Sequence, residues 1–349
     1  MARHPAQPQS RRTTKTVASD ATSERPTLRD IAREAGVSLG TVSLALRDNP
    51  QTSRATRTRI KAIATRMGYR PDPRVAKLMS YLQQKKHRNR DGTIAYLTAF
   101  AQRDVWRDSV TWTNYFEGAE SKAAELGYRL EHFWMRESGM SEARLSRILH
   151  SRGIDGVLIA PVPKSHRKMQ LEWDWFSTVA FGYSLQHPRV HRVVHSHFHT
   201  TTIVTDELRA RGYERIGLVI GPDHDERVAN LWSAGFLAFK GVIDPKHAVP
   251  LFRGAIEPEP LLKWFRRNRP DAVMSDNLNA AQILDAAGCS VPRDFAFVTL
   301  DWLDRTRPFA GVDQHSRDVG AAAAKQLISA LQRDERGLPL CPETLMIEG

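Results

Sequence analysis

A chain of 349 residues with 41% hydrophobic and 26% charged side chains has the makeup of a folded protein with room for more than one core, which excludes a disordered or fibrous class. Two cysteines, Cys289 and Cys341, exclude a disulfide-built scaffold and suit a reducing cytoplasm; no apolar run approaches membrane-spanning length. The formal net charge of +12 sits at one end, because residues 1–90 hold 20 Lys+Arg against 6 Asp+Glu and the remainder is close to neutral, a distribution suited to phosphate contact.

Residues 1–26 are polar, basic and without periodicity, and are expected to form a disordered tail. They contain no hydrophobic segment, so no secretory signal is expected. Thr27 followed by Asp30 is a capping-box pattern that starts a helix, and Leu28, Ile31, Ala32 and Ala35 recur on one face of it. Gly36 ends that helix in a turn that requires positive φ. Ser38 caps a second helix whose inner face is Val42, Ala45 and Leu46. Two short helices about a glycine turn make a helix-turn-helix, with the second helix as candidate reader of a DNA major groove. A third amphipathic helix follows, capped by Ser53 and ended by Gly68, with Ile60, Ile63, Ala64 and Met67 inward and Arg54, Arg57, Lys61 and Arg66 outward.

Thr27–Leu46, Ser53 with Thr56 and Arg57, the run Gly68, Tyr69, Arg70, Pro71, and Leu78 together resemble the LacI/GalR (lactose-repressor) family of bacterial transcription regulators. The resemblance is strong over the first quarter and more diffuse beyond. It implies a DNA-binding head over 27–70, a hinge helix and linker over 71–90, and a two-lobed effector-binding and dimerisation core over 91–349.

In that family the first residues of the second helix read bases. Here those positions hold Leu39, Gly40 and Leu44, with Thr41 and Ser43 between. None offers the forked donors of Arg, Asn or Gln, so thymine-methyl contact and duplex shape are expected to carry more of the specificity. Thr27, Ser38, Arg47, Arg54, Arg57 and Tyr69 complete the expected DNA-contacting set. Leu78 matches the leucine that the family inserts into the minor groove, with Met79 the alternative one register along.

Residues 91–349 alternate in type. Strands are expected at Thr93–Phe100, Tyr128–Trp134, Gly156–Val162, Thr178–Tyr183, Arg215–Gly221, Asp271–Ser275 and Phe295–Asp301. Helices are expected at Asn114–Gly127, Ser141–His150, Thr201–Gly212, Ala229–Val242, Asn279–Ala287 and Arg317–Gln332. This alternation predicts parallel α/β sheets, and the strands are too many for one sheet, so two lobes are expected. The resemblance implies a periplasmic-binding-protein-like core, with crossings near 184–190, 303–313 and 335–342. Ligands bind such sheets beyond the carboxyl ends of the strands, here in the cleft between lobes.

The resemblance places Asn277, Asp301 and Gln314 in that pocket. Leu278 stands where the family has an aspartate, with Asp276 the acid if the register slips by one, and Asn230 replaces the expected pocket arginine. Trp112, Tyr115, Tyr183 and Trp302 are candidate stacking faces, with Trp112 and Tyr183 the preferred pair. His195, His197 and His199 alternate and would share one face of a strand, but ordinary hydrogen-bonded histidines are the default and no metal or cofactor is expected.

No Gly-x-Ser-x-Gly, His-Glu-x-x-His or phosphate-cradling glycine loop is present, so the chain is expected not to be an enzyme. The expected function is a cytoplasmic, homodimeric transcription regulator, a repressor by default. It would bind a pseudo-palindromic double-stranded operator under control of a small effector, a carbohydrate by resemblance, and associate with the nucleoid when bound. The competing reading keeps the DNA head over a degenerate cleft controlled by another signal or partner. A solute-binding protein is a more distant alternative.

Overall fold

Thr27 and Asp30 close a reciprocal cap: the Asp30 amide donates to Thr27 Oγ1 at 3.4 Å and the Thr27 amide to Asp30 Oδ2 at 2.9 Å. In the computed structural model, which describes residues 26–46, 52–69, 92–303, 306 and 308–349, this cap opens α1 (Leu28–Ala35). Gly36 takes φ 62°, and α2 (Leu39–Leu46) follows, with Ser38 Oγ accepting from the Thr41 amide at 3.1 Å. Ser53 Oγ accepts from the Thr56 amide to start α3 (Arg54–Arg66). Ile31, Val42, Ala45 and Ile60 are fully buried where the three helices meet, each worth roughly 1–3 kcal/mol of transfer free energy. The expected tail over 1–25, Arg47, and the expected hinge over 71–90 with Leu78 lie outside the described residues.

The second unit carries two parallel sheets. The first contains β1 (Gly92–Thr98), β2 (Tyr128–Trp134), β3 (Gly156–Ile159), β4 (Ser177–Phe181), β5 (His191–His195) and β11 (Thr344–Ile347), in the order β11-β5-β4-β3-β1-β2. The other contains β6 (Ile216–Ile220), β7 (Phe252–Arg253), β8 (Ala272–Ser275), β9 (Ala296–Thr299) and β10 (Ala310–Gly311), in the order β10-β9-β8-β6-β7. Central strands such as β4 and β6 are buried at every residue, because helices cover both faces of each sheet. In the first lobe those helices are α4 (Val110–Glu125), α5 (Glu142–Ser151) and α11 (Ser316–Gln332); in the second they are α6 (His197–Ala210), α7 (Pro222–Arg227), α8 (Leu231–Lys240), α9 (Pro258–Asn268) and α10 (Asn279–Ala286).

The crossings differ from expectation at two places. The chain leaves the first lobe between β5 and α6, at Ser196, not at 184–190, because residues 191–195 still pair with β4 and β11. It returns at 312–315, at the end of the expected second crossing. Residues 335–342 do not cross: the Gly337 amide donates to the Phe176 carbonyl at 3.0 Å, Arg336 pairs with Asp155, and β11 then joins the first sheet. α8 begins at Leu231 rather than Ala229, because Ala229 and Asn230 adopt φ 58° and 60°.

α11 brings the returning chain onto α4 at backbone contact. A Cβ on Gly320 would collide with the Tyr115 carbonyl, and one on Gly118 with the Arg317 carbonyl. Reciprocal glycines therefore set the depth at which α4, and the three side chains it sends into the cleft, sits against the sheet.

Candidate ligand cleft and nucleic-acid interface

On the head, α2 presents a short and chemically plain surface. Leu39 is 45% exposed, and Ser38 and Gly40 are exposed, while Thr41, Ser43 and Leu44 are half-buried. An exposed leucine at the first turn of such a helix has apolar contact as its available chemistry, which suits a thymine methyl. Arg54 is exposed at the start of α3. Arg57 is half-buried, and its Nη1 donates to the Thr52 carbonyl at 2.6 Å, so it braces the loop before α3. Arg59 braces the other side by donating to the Ala35 carbonyl at 3.0 Å. Thr27 gives its hydroxyl to Asp30, and Tyr69 packs on the head core.

In the core unit, a cavity of about 210 Å³ opens between the lobes, beyond the carboxyl ends of both sheets. One wall is a train of rings. Tyr115 stacks on Phe181 with centroids 5.0 Å apart and on His195 at 5.5 Å; His195 meets His197 at 5.5 Å, and His197 meets Trp232 edge-on at 4.8 Å. Trp112, stacked on Phe100, adds a further face. The lining also includes Asp276 and Asp301, at the ends of β8 and β9, Gln314 on the returning crossing, and His224 and Arg227 on α7.

Asp301 and Gln314 are held by bonds to neighbouring elements. The Thr111 hydroxyl on α4 donates to Asp301 Oδ2 at 2.8 Å, joining the two lobes inside the cavity. Gln314 Nε2 donates to the Leu300 carbonyl at 2.6 Å and to Thr200 Oγ1 at 3.1 Å. At the rim, Lys164 of the first lobe reaches Asp223 at 2.5 Å and Glu226 at 3.3 Å on α7, and Arg167 reaches Glu226 at 3.5 Å. The Lys164 pairs are solvent-exposed and hold the lobes only weakly, because water screens them.

Several buried polar atoms of residues that line the cavity have no partner at hydrogen-bond geometry: both ring nitrogens of His195, Nδ1 of His197, Nε1 of Trp232, Oδ1 of Asp276 and Oε1 of Gln314. Leaving such a group buried and unpaired costs roughly 1–3 kcal/mol each. Burial holds the His195 ring down to about 4, against smaller upward pulls from the Gln314 backbone and Asp313, and it holds His197 well below the ordinary histidine range. Both rings are therefore neutral and can donate from one nitrogen and accept at the other. His224 is shifted up by its hydrogen bond to Asp276, Nδ1 lying 2.6 Å from Oδ2.

Of the six expected ligand-binding residues, the structure brings Trp112, Tyr183, Asp301 and Gln314 to the cavity and leaves two outside it. Asn230 is exposed, and its Oδ1 accepts from Arg253 Nη2 at 2.7 Å. Asn277 turns back on its own chain, Oδ1 accepting from the Asn279 amide at 2.9 Å to cap α10. The acid at that strand end is instead its neighbour Asp276, the alternative register. His224 and Arg227 are not marked in the sequence because α7 is short and without periodicity, and Trp232 reads there as an ordinary buried residue of α8. His195 and His197 do not share a strand face, since one ends β5 and the other starts α6; His199 is exposed. Among the described residues, no three His, Cys, Asp or Glu side chains gather as a metal site, and no helix is long and apolar enough to cross a membrane.

Comparison with known proteins bears on both units. Residues 27–72 match the family of bacterial regulatory proteins, lacI family, and residues 205–346 match the periplasmic binding protein-like domain. The chain is 24% identical over 336 residues to the HTH-type transcriptional repressor CytR of Escherichia coli (strain K12), covering 89% of this chain and 91% of that one. Among solved structures it resembles the transcriptional regulator CelR–cellobiose complex, with a TM-score of 0.54, 22% identity, and 93% and 97% of the two chains covered. It also resembles the lac repressor dimer bound to operator and the anti-inducer ONPF, with a TM-score of 0.52, 18% identity, and 93% and 97% covered. With a helix-turn-helix head and a two-sheet core of this kind in one chain, the protein belongs to the LacI family of DNA-binding transcriptional regulators.

Proposed function

We propose that this regulator binds a pseudo-palindromic operator as a homodimer, and that a small polar molecule held in the cleft sets its operator affinity. The observation that carries the cleft half of this reading is the set of buried, unpartnered polar atoms on His195, His197, Trp232, Asp276 and Gln314 around one cavity. A hydroxylated ligand in the cavity offers these residues fixed hydrogen-bond partners. A cleft without a ligand would gain stability by filling with apolar side chains or by pairing its polar groups. This favours an occupied cleft over a degenerate one. Rings and acceptors around one cavity suit a sugar, whose faces are apolar and whose edge is a row of hydroxyls.

The DNA half rests on the head. Leu39, Gly40, Thr41, Ser43 and Leu44 would face the major groove, Thr27, Ser38, Arg54 and Arg57 the backbone, and Tyr69 the head core. Arg47 and Leu78 join this set on the resemblance alone. The lac repressor dimer on operator supports a two-headed arrangement, and the name of CytR supports repression. Acting on chromosomal DNA places the protein in the cytoplasm. Coupling would follow if ligand changes the separation of the lobes and the change reaches the heads, as differential affinity for two states demands.

The reading is tested by selecting a binding site from random duplexes with the full chain and following operator affinity by anisotropy at fixed salt. The same protein is screened by thermal midpoint against neutral sugars, sugar acids, sugar phosphates and nucleosides. A compound at about 100 times its Kd adds about 2.7 kcal/mol, a shift of several degrees. The reading expects a compound that raises the midpoint also to move operator affinity at least about fivefold. Selection of a half-palindrome only, or stabilising compounds that leave operator affinity unchanged, would count against it.

A further inference from the structure

Arg227, the last residue of α7, lines the cavity and is half-buried. Among the described residues its guanidinium has no hydrogen-bond or ion-pair partner; it lies against the Trp112 ring, with the centroid 5.4 Å away. The carboxylates around it are engaged elsewhere. Asp223 is taken by Lys164 at 2.5 Å, Glu226 by Lys164 and Arg167, and Asp276 by His224 at 2.6 Å. Burial disfavours the charged guanidinium, and only Asp276 and Asp223 oppose that from a distance. A desolvated guanidinium without a counter-ion is costly, and its planar fork matches a carboxylate.

We infer that the cleft ligand is a sugar acid: a hydroxylated monocarboxylate of monosaccharide size, its carboxylate bound by Arg227. This rests on the reading of the cleft as the effector site. The other polar groups suit the rest of such a molecule. Asp301, Asp276 Oδ1 and Gln314 Oε1 accept hydrogen bonds from hydroxyls, and Trp112 and the Tyr115–Trp232 train cover the ring face. His195 and His197 are neutral, so they add hydrogen bonds without adding charge. One unengaged guanidinium matches one negative charge better than a phosphate dianion, which gathers several charged donors. The cavity, at about 210 Å³, is compatible with a ligand built on one sugar ring.

The test is calorimetric titration of the full chain with galacturonate, glucuronate and gluconate, alongside galactose, glucose and glucose 6-phosphate. At least one acid is expected to bind about 10- to 100-fold more tightly than its neutral parent, the range of a buried charge-assisted hydrogen-bonded pair. Arg227→Gln is expected to erase that preference, and Arg227→Lys to restore part of it. The free Arg227→Gln protein gives an independent readout. Its thermal midpoint should equal or exceed that of the unmodified protein, because an uncompensated charge has been removed. A midpoint several degrees lower would make Arg227 a structural residue and overturn the inference. So would absence of binding by all three acids, or tighter binding of the phosphate. Binding of neutral sugars as tight as the acids would overturn it too, while leaving the cleft reading intact.

Discussion

Thr111 and Asp301 are 190 residues apart in sequence, and the hydroxyl of the first donates to Oδ2 of the second at 2.8 Å. Thr111 stands in the first turn of α4 on one lobe, and Asp301 follows β9 on the other. The bond thus joins the lobes inside the cavity, where a ligand hydroxyl would compete for the same carboxylate. On the proposed reading of the cleft, its occupancy and the separation of the lobes would be linked at Asp301.

Thr111→Val keeps the side-chain shape and removes the donor. Because the acceptor is a carboxylate, the loss is expected to cost about 1–3 kcal/mol and to lower the thermal midpoint by a few degrees. Unchanged stability in urea and heat would mean that the two lobes are held by other contacts.

Gly320→Ala is expected to be far more damaging than its size suggests. The new methyl would collide with the Tyr115 carbonyl, so α4 and α11 must move apart, and α4 carries Trp112 and Tyr115 out of register with the cavity. Overpacking of this kind costs roughly 1–3 kcal/mol or more. Denaturant unfolding together with ligand titration checks both consequences, and a variant with normal stability and binding would contradict the close approach described above.

Stability should fall as the solution is acidified through the histidine range. His195 is held at about 4 in the folded chain against an ordinary value of 6.5, so between those values the unfolded chain binds a proton that the folded chain refuses. The loss begins below about pH 7 and is bounded near 3 kcal/mol for this residue; His197 acts in the same direction. His224, shifted upward, acts oppositely, its contribution being full at low pH and lost as pH rises through its folded value. His195→Gln should therefore flatten the dependence of urea midpoint on pH between about pH 7 and pH 5. An unchanged slope would show that this ring titrates normally.

On the head, Arg54→Ala and Leu39→Ala should separate affinity from specificity. Removing Arg54 is expected to weaken binding to all duplexes alike and to reduce the salt slope by about 0.9. Removing the exposed Leu39 side chain should leave the head folded, within about 0.5 kcal/mol, and relax the preference at one thymine by roughly 1–3 kcal/mol. Anisotropy titrations against the selected site and single-base variants at two salt concentrations distinguish these outcomes. A selective loss from Arg54→Ala would exclude backbone contact as its role.

The parts of this architecture governed by neighbours in sequence were readable from the sequence. Thr27 with Asp30, Gly36, Ser38 and Ser53 are local devices, and each sits where its chemistry requires. Most of the longer strands and helices of the core followed from alternation, although α9, with 11 residues, and β5 were not among the expected elements. The short elements did not, since β7, β10 and α7 hold between two and six residues and leave no period to detect. Asp301 and Gln314 reach the cavity because they end a strand and begin a crossing, which a motif can mark. Asn277 was misplaced because its amide caps the following helix, and Asn230 because two left-handed residues delay α8. Arg227, His224, His195 and His197 gain their significance from burial and from partners distant in sequence, which no linear pattern records.

The central claim is that cleft occupancy controls operator binding. Its most direct measurement is operator affinity of the full chain with and without saturating galacturonate, in unmodified protein and in Asp276→Asn. The account predicts a change of at least about fivefold in the unmodified protein, abolished or strongly reduced in the variant, whose free operator affinity stays the same. Galacturonate bound in the cleft with no change in operator affinity would contradict it.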